Sequence, residues 1–172
     1  MFNPPKNLNQ VGIVLATSED WERVRDIRLR ALADAPFAYG SRLEEERNRP
    51  ESFWRERLER DRAATFLALD GEETIGLVRS VIEPEDPTSA ELVSMWVAPQ
   101  TRSQGVGRQL VAVVVEWARH HDAVSVKLWV TETNAAARRL YEACGFVLSG
   151  GRQTLPSDPS LSEIAMALLL GE

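Results

Sequence analysis

Residues 95–110 read Met95-Trp96-Val97-Ala98-Pro99-Gln100-Thr101-Arg102-Ser103-Gln104-Gly105-Val106-Gly107-Arg108-Gln109-Leu110. They run from the end of a buried strand into a turn, because Pro99 has a fixed φ and no backbone donor, and then through two glycines into an apolar-faced helix. A helix reached through glycines leaves backbone N–H groups uncovered at the positive end of its dipole, which is the physical basis of an anion site. The spacing narrows the choice of anion. A dinucleotide fingerprint needs GxGxxG and an NTPase loop needs GxxxxGK followed by Ser or Thr. Neither is present, since the stretch holds only Gly105 and Gly107 and no Lys-Ser or Lys-Thr pair follows.

Around this stretch the chain of 172 residues has the length of one ordinary domain, expected over residues 1–172 with a loose N-terminal end at 1–9. Its 44% hydrophobic and 27% charged residues are those of a soluble globular protein, and its net charge of −6 offers no basic stripe for nucleic acid. One cysteine, Cys144, excludes an internal disulfide, and no Cys/His cluster has metal spacing, so no metal is expected. The longest apolar run, residues 110–115, is far short of the ~20 residues a membrane span needs, and the first ten residues lack a signal-peptide core. The expected location is the cytoplasm.

In chain order, residues 11–16 read as a strand and a helix starts near Trp21, with Trp21, Val24 and Leu32 at helical spacing. Residues 34–48 break that pattern with Pro36 and Gly40 and carry Phe37, Tyr39 and the run Glu44-Glu45-Glu46; Pro50 opens a second helix. Strands follow at 64–69 and 74–82, joined by Asp70-Gly71 as a hairpin, and at 90–97. After the helix with Val106, Leu110, Val113, Val114 and Trp117 on one face comes a strand at 124–130. A short helix then places Ala137, Leu140, Tyr141 and Cys144 on one side. A strand begins at 146–148, residues 149–162 read as a polar connection, and 164–170 is a closing strand. This order predicts a mixed α/β sheet with helices on both faces.

Two motifs carry a family resemblance. Arg102-x-x-Gly105-x-Gly107 resembles the pyrophosphate-binding motif of the GCN5-related N-acetyltransferase (GNAT) family, and Asn134-x-x-Ala137-x-x-Leu140-Tyr141-x-x-x-Gly145-Phe146 resembles its second signature. The resemblance implies the GNAT-like acyl-CoA N-acyltransferase fold: a mixed central sheet of about seven strands, flanked by helices, with a V-shaped splay between the fourth and fifth strands. It also implies acetyl-CoA as cosubstrate. Met95 and Val97 would offer backbone groups to the pantetheine and acetyl portions, while Gln104, Gly105, Val106, Gly107 and Arg108 would ring the pyrophosphate. A Cβ at either glycine would push the phosphates away. Arg102 either organises the loop or meets phosphate oxygens, and Asn134 either contacts the cofactor arm or caps the following helix.

The implied reaction moves an acetyl group from acetyl-CoA to a primary amine by direct attack in a ternary complex; the alternative is a non-catalytic acyl-CoA-binding or sensing protein. Direct attack asks for a base, an oxyanion donor and an acid near sulfur. Tyr141 stands at the family's tyrosine position and is the expected acid, and the N–H of Val97 the oxyanion donor. Glu91 is the expected base, sharing the face of Met95 and Val97 only if the strand has no bulge. Glu44, Glu45, Glu46 and Glu132 are alternative bases, and the first three could instead hold a cationic acceptor. Cys144 reads as a small hydrophobe. Either Trp96 or Trp129 would wall the cleft. The acceptor is a small-molecule amine or a protein amino group, with no nucleic acid, no membrane and, by resemblance, a homodimer expected.

Overall fold

The β-branched and apolar runs of the sequence form the strands of one seven-stranded sheet in a computed structural model, which describes residues 11–171. The N-terminal end expected at residues 1–9 lies outside the described residues. Strand β1 (Val11–Leu15) leads into helix α1 (Trp21–Asp34), the short helix α2 (Leu43–Arg47) and helix α3 (Glu51–Leu58), for which Pro50 is the N-cap. Strands β2 (Ala63–Asp70), β3 (Glu73–Ile82) and β4 (Ser89–Val97) follow as an antiparallel meander. Helix α4 (Val106–His120), strand β5 (Ser125–Thr131) and helix α5 (Ala135–Ala143) come next, then β6 (Val147–Leu155) and β7 (Asp158–Leu169). The sheet order is β1-β2-β3-β4-β5-β7-β6, in which β4 and β5 are parallel neighbours.

Helices cover the sheet on both faces. A Cβ added at Gly76 of β3 would stand 3.1 Å from Leu110, so α4 packs directly on that face. The apolar stripe of α4 buries Val106, Leu110, Val111, Val114 and Ala118; Val106, Leu110 and Val114 are those read from the sequence, whereas Val113 and Trp117, also expected there, are only half-buried and Val111 and Ala118 take the inner positions. Arg79 points to the other face and donates to the carbonyl of Arg57 at 2.9 Å, which puts α3 on that side with α1. Burial, and then the neighbouring charges of Arg57 and Arg60, push the Arg79 guanidinium down to about 9.

Residues 149–162 differ from the polar connection expected. They belong to a long hairpin, with β6 and β7 joined by the tight turn that pairs Leu155 with Asp158. Because β6 is an outer strand, exposed along most of its length, its polar residues carry no alternating pattern to betray a strand. Gly150, at φ 91°, sits within the break in register between Leu148 and Arg152.

Candidate active site

The site is built on a sheet that stops pairing. The β4–β5 ladder consists of Ser89–Ser125, Ala90–Val126 and Glu91–Lys127, after which the two strands part into a V. A cavity of about 90 Å³ lies between them, lined by Tyr39, Ser94, Met95, Trp129, Asn134 and Tyr141 among others. Strand β4 also bulges on its way out: Leu77 opposes Trp96 and Arg79 opposes Val93, so three steps of β4 face two of β3, and Ser94 adopts φ 58°.

The bulge decides which side chains share a face. Arg79 and Leu77 point the same way, and so do their partners Val93 and Trp96. Glu91 therefore shares its face with Val93 and Trp96 and not with Val97, because the extra residue reverses the alternation. Glu91 sits on the last rung of the ladder, below the lining of the cavity, and Val97 lies beyond it. Burial raises the Glu91 carboxyl above its ordinary range, and the charges of Glu83 and Glu163 push it the same way. At the other end of β4 the N–H of Ala98 donates to Ile75, so strand alternation turns the backbone of Val97 toward the opened β5 side.

At the start of α4 the two glycines serve different ends. Gly105 is the N-cap at φ 89°, left-handed, and a Cβ there would meet nothing within 4 Å. Open space thus lies beside the first-turn amides of Val106, Gly107 and Arg108, which have no intrahelical acceptor. Gly107 is instead a packing glycine, since a Cβ would stand 3.0 Å from Leu140 Cδ2 on α5. The sequence reading asked for glycine at both positions so that phosphates could approach; at Gly107 the structure shows a separate reason for a small residue, the contact with Leu140. Arg102 donates from Nε to the Val97 carbonyl at 2.9 Å and from Nη2 to Asp34 at 2.5 Å, which ties the loop to β4 and α1. Gln104 turns its amide back to the carbonyl of Gln100 at 3.1 Å, and Arg108 is exposed.

Across the V, Asn134 lines the cavity and caps α5, its Oδ1 accepting from the N–H of Ala137 at 3.2 Å. Tyr141 is buried, and among the described residues its hydroxyl has no hydrogen-bond partner. Burial raises its phenol well above the ordinary value, with Tyr39 and Cys144 adding to the rise, so the hydroxyl keeps its proton at neutral pH. Burial also raises the half-buried Cys144 thiol, which keeps it un-ionised and poorly nucleophilic. Of the two candidate tryptophans, Trp129 lines the cavity, while Trp96 is buried with its indole N–H on Asp34 at 2.9 Å.

The alternative acids are largely engaged elsewhere. Glu46 is buried in a two-bond pair with Arg28, at 3.0 and 2.8 Å, Glu44 lies 3.5 Å from Arg47, and Glu132 lies 2.7 Å from Arg152. Sequence reasoning placed Tyr39 in an aromatic cluster but missed its bond: the hydroxyl donates to the Met95 carbonyl at 2.8 Å. It missed Ser94 and Thr131 altogether, because a bulge and a strand-end threonine leave no mark in residue spacing. Among the described residues no cluster of three metal-ligating side chains occurs, and no helix is long and apolar enough to cross a membrane.

A mixed sheet opened into a V between its fourth and fifth strands, with a glycine-started helix beside it, is the acyl-CoA N-acyltransferase fold. The chain belongs to the Acetyltransferase (GNAT) family, whose profile matches residues 21–146. It is similar to the mycothiol acetyltransferase of Thermobispora bispora, with 32% identity over 142 residues covering 78% of this chain and 46% of that protein. The chain thus spans about half the length of the curated relatives it matches first. Among solved structures it resembles the GNAT-family acetyltransferase of Streptococcus pneumoniae, with a TM-score of 0.75 and 21% identity over 94% of this chain and 100% of that one. It also resembles a Salmonella typhimurium protein solved with its cofactor acetyl-CoA, with a TM-score of 0.77 and 19% identity over 95% and 96% of the two chains.

Proposed function

We propose that this protein is an N-acetyltransferase that moves an acetyl group from acetyl-CoA to a primary amine in a ternary complex. The observation that carries the reading is the parting of β4 and β5 after three rungs, with Tyr141, Asn134 and Met95 converging on the cavity between them. The open left-handed cap at Gly105 fits a diphosphate, because nothing within 4 Å of a Cβ there would contest the space beside the helix amides.

In this reading the chain works as one catalytic domain. The amides of Gln104, Gly105, Val106, Gly107 and Arg108 hold the pyrophosphate, and Arg102 keeps their loop in shape through Val97 and Asp34. The backbone of Met95 and Val97 and the side chain of Asn134 line the path of the pantetheine arm. Glu91, which the bulge leaves on the face of the cavity-lining Val93 and not on that of Val97, draws a proton from the attacking amine through a water chain, the N–H of Val97 receives the negative charge that develops on the carbonyl oxygen, and Tyr141 gives its proton to the departing sulfur. A new C–N bond replaces the C–S bond, the base gains the amine's proton, the thiolate takes that of Tyr141, and return of one proton from the base to the tyrosinate through solvent restores both groups.

The acceptor is a small-molecule amine or a protein amino group, and the protein acts in the cytoplasm without nucleic acid or membrane. It pairs as a homodimer, a reading supported by Val147, Leu148 and Leu169 standing 66%, 57% and 80% exposed on β6 and β7. Release of free CoA across a panel of amines, with the wild type and Tyr141→Phe side by side, tests the reading. Turnover that falls by two or more orders of magnitude in the variant is expected. Acetyl-CoA binding without turnover on any amine would instead identify a sensing protein.

A further inference from the structure

Opening a sheet between two parallel strands has a physical cost, because the facing backbone groups lose their ladder partners and nothing in the ladder itself fixes how far the strands part. Here one segment reaches both strands. Residues 36–42, between α1 and α2, include the short turn Pro36–Ala38 and run across the open end of the V. On the β4 side the Tyr39 hydroxyl donates to the carbonyl of Met95 at 2.8 Å, beside the bulge at Ser94. On the β5 side the buried hydroxyl of Thr131 donates to the carbonyl of Phe37 at 2.6 Å.

Three further contacts hold this segment from behind. The hydroxyl of Ser157, in the β6–β7 turn, donates to the carbonyl of Tyr39 at 2.5 Å, and Arg42 donates to the carbonyl of Ser157 at 3.1 Å. The Arg28 guanidinium lies 4.8 Å from the centre of the Tyr39 ring, and Arg28 is itself fixed by its buried pair with Glu46. The ring of Tyr39 is therefore held on one side by a cation and aimed by its hydroxyl at one carbonyl of the splayed strand.

From this arrangement we infer that residues 36–42 form a brace across the V, and that Tyr39 and Thr131 are positioning residues whose two hydroxyls set the separation of β4 and β5. The brace acts on the reaction through Met95: fixing its carbonyl fixes the strand segment that runs from the bulge to Val97, and so the direction of the Val97 N–H. This role rests on the acetyltransferase reading for its effect on catalysis, but the brace itself is a property of the free protein. Losing either anchor frees the same segment, so the two residues act as one device.

The experiment uses Tyr39→Phe, Thr131→Val and the double variant, which delete the hydroxyls and retain most of the side-chain shape. In the free protein, each single variant is expected to speed amide exchange in peptides covering residues 92–98 while leaving residues 63–70 of β2 unchanged. Unchanged exchange at 92–98, or equal acceleration throughout the sheet, overturns the brace. With acetyl-CoA, each single variant is expected to lower kcat/KM about three- to ten-fold, and the double variant by less than the product of the two. Altered exchange with wild-type kinetics, or strictly multiplicative losses, overturns the positioning role. A wild type that binds no acetyl-CoA defeats the acetyltransferase reading instead, and the exchange result then decides the brace alone.

Discussion

Arg102 and Asp34 join the start of the glycine loop to the end of α1, with Nη2 of the arginine 2.5 Å from the carboxylate. The same carboxylate oxygen accepts the indole N–H of Trp96 at 2.9 Å, so the loop, the helix and the splayed strand meet at one acid. The hydrogen bond from Trp96 and then that from Arg102 hold the Asp34 carboxyl below its ordinary value of 3.8. A depressed carboxyl contributes stability that is present above the unfolded-state value and is lost as pH falls through the folded one. Asp34→Asn is therefore expected to cost about 1 kcal/mol at pH 7, the scale of a hydrogen bond, with the difference from wild type shrinking below about pH 4. Urea unfolding between pH 7 and pH 3 checks this, and a difference that does not change with pH would refute it.

The two glycines of the loop are expected to fail in different ways. Gly105→Ala places a Cβ at φ 89° in open space, so it costs about 1–2 kcal/mol of backbone strain and disturbs the amides at the helix start. Gly107→Ala drives a Cβ to 3.0 Å from Leu140 Cδ2, so its net effect is set by how far that side chain gives: strain of about 1–3 kcal/mol in the α4–α5 contact works against a helix-propensity gain of about 1 kcal/mol. Trimming the obstacle separates them: Leu140→Ala in the Gly107→Ala background should recover part of the lost stability relative to Leu140→Ala alone, and in the Gly105→Ala background it should recover none. Thermal unfolding of the two double-mutant cycles provides the measurement.

Burial beside Glu83 and Glu163 raises the Glu91 carboxyl, so a base at this position ionises later than an ordinary glutamate as pH rises. The acidic limb of kcat/KM is expected to rise with an apparent pKa above that of an ordinary glutamate. Glu91→Gln should lower kcat by about 10²-fold or more and remove that limb. A variant whose profile keeps the same limb, tracking only the free amine, would remove Glu91 from the mechanism.

Trp129 lines the cavity with its side chain partly exposed, whereas Trp96 is buried against α1. Binding of acetyl-CoA is expected to quench tryptophan emission in the wild type and in Trp96→Phe, and to lose most of that response in Trp129→Phe. Retention of the full response in Trp129→Phe would take the indole out of the cleft wall.

The amino-acid sequence by itself determined the donor side of this protein. Strand, turn, Gly105 and apolar helix follow from local rules of backbone freedom and helical periodicity, and the second motif from Asn134 to Phe146 obeys the same rules one unit later. Such features act within a few residues, so spacing records them. Tertiary structure alone decided what depends on two segments meeting. The bulge at Ser94 turned Glu91 to the face of Trp96, Arg102 found Asp34 across 68 positions of chain, and Tyr39 found the Met95 carbonyl across 56. The outer strand β6 was hidden for a related reason: with both faces largely open to solvent, it has no buried side to impose alternation on its sequence. Local sequence thus wrote the helix start, while the width and lining of the V came from hydrogen bonds between distant segments that no residue spacing encodes.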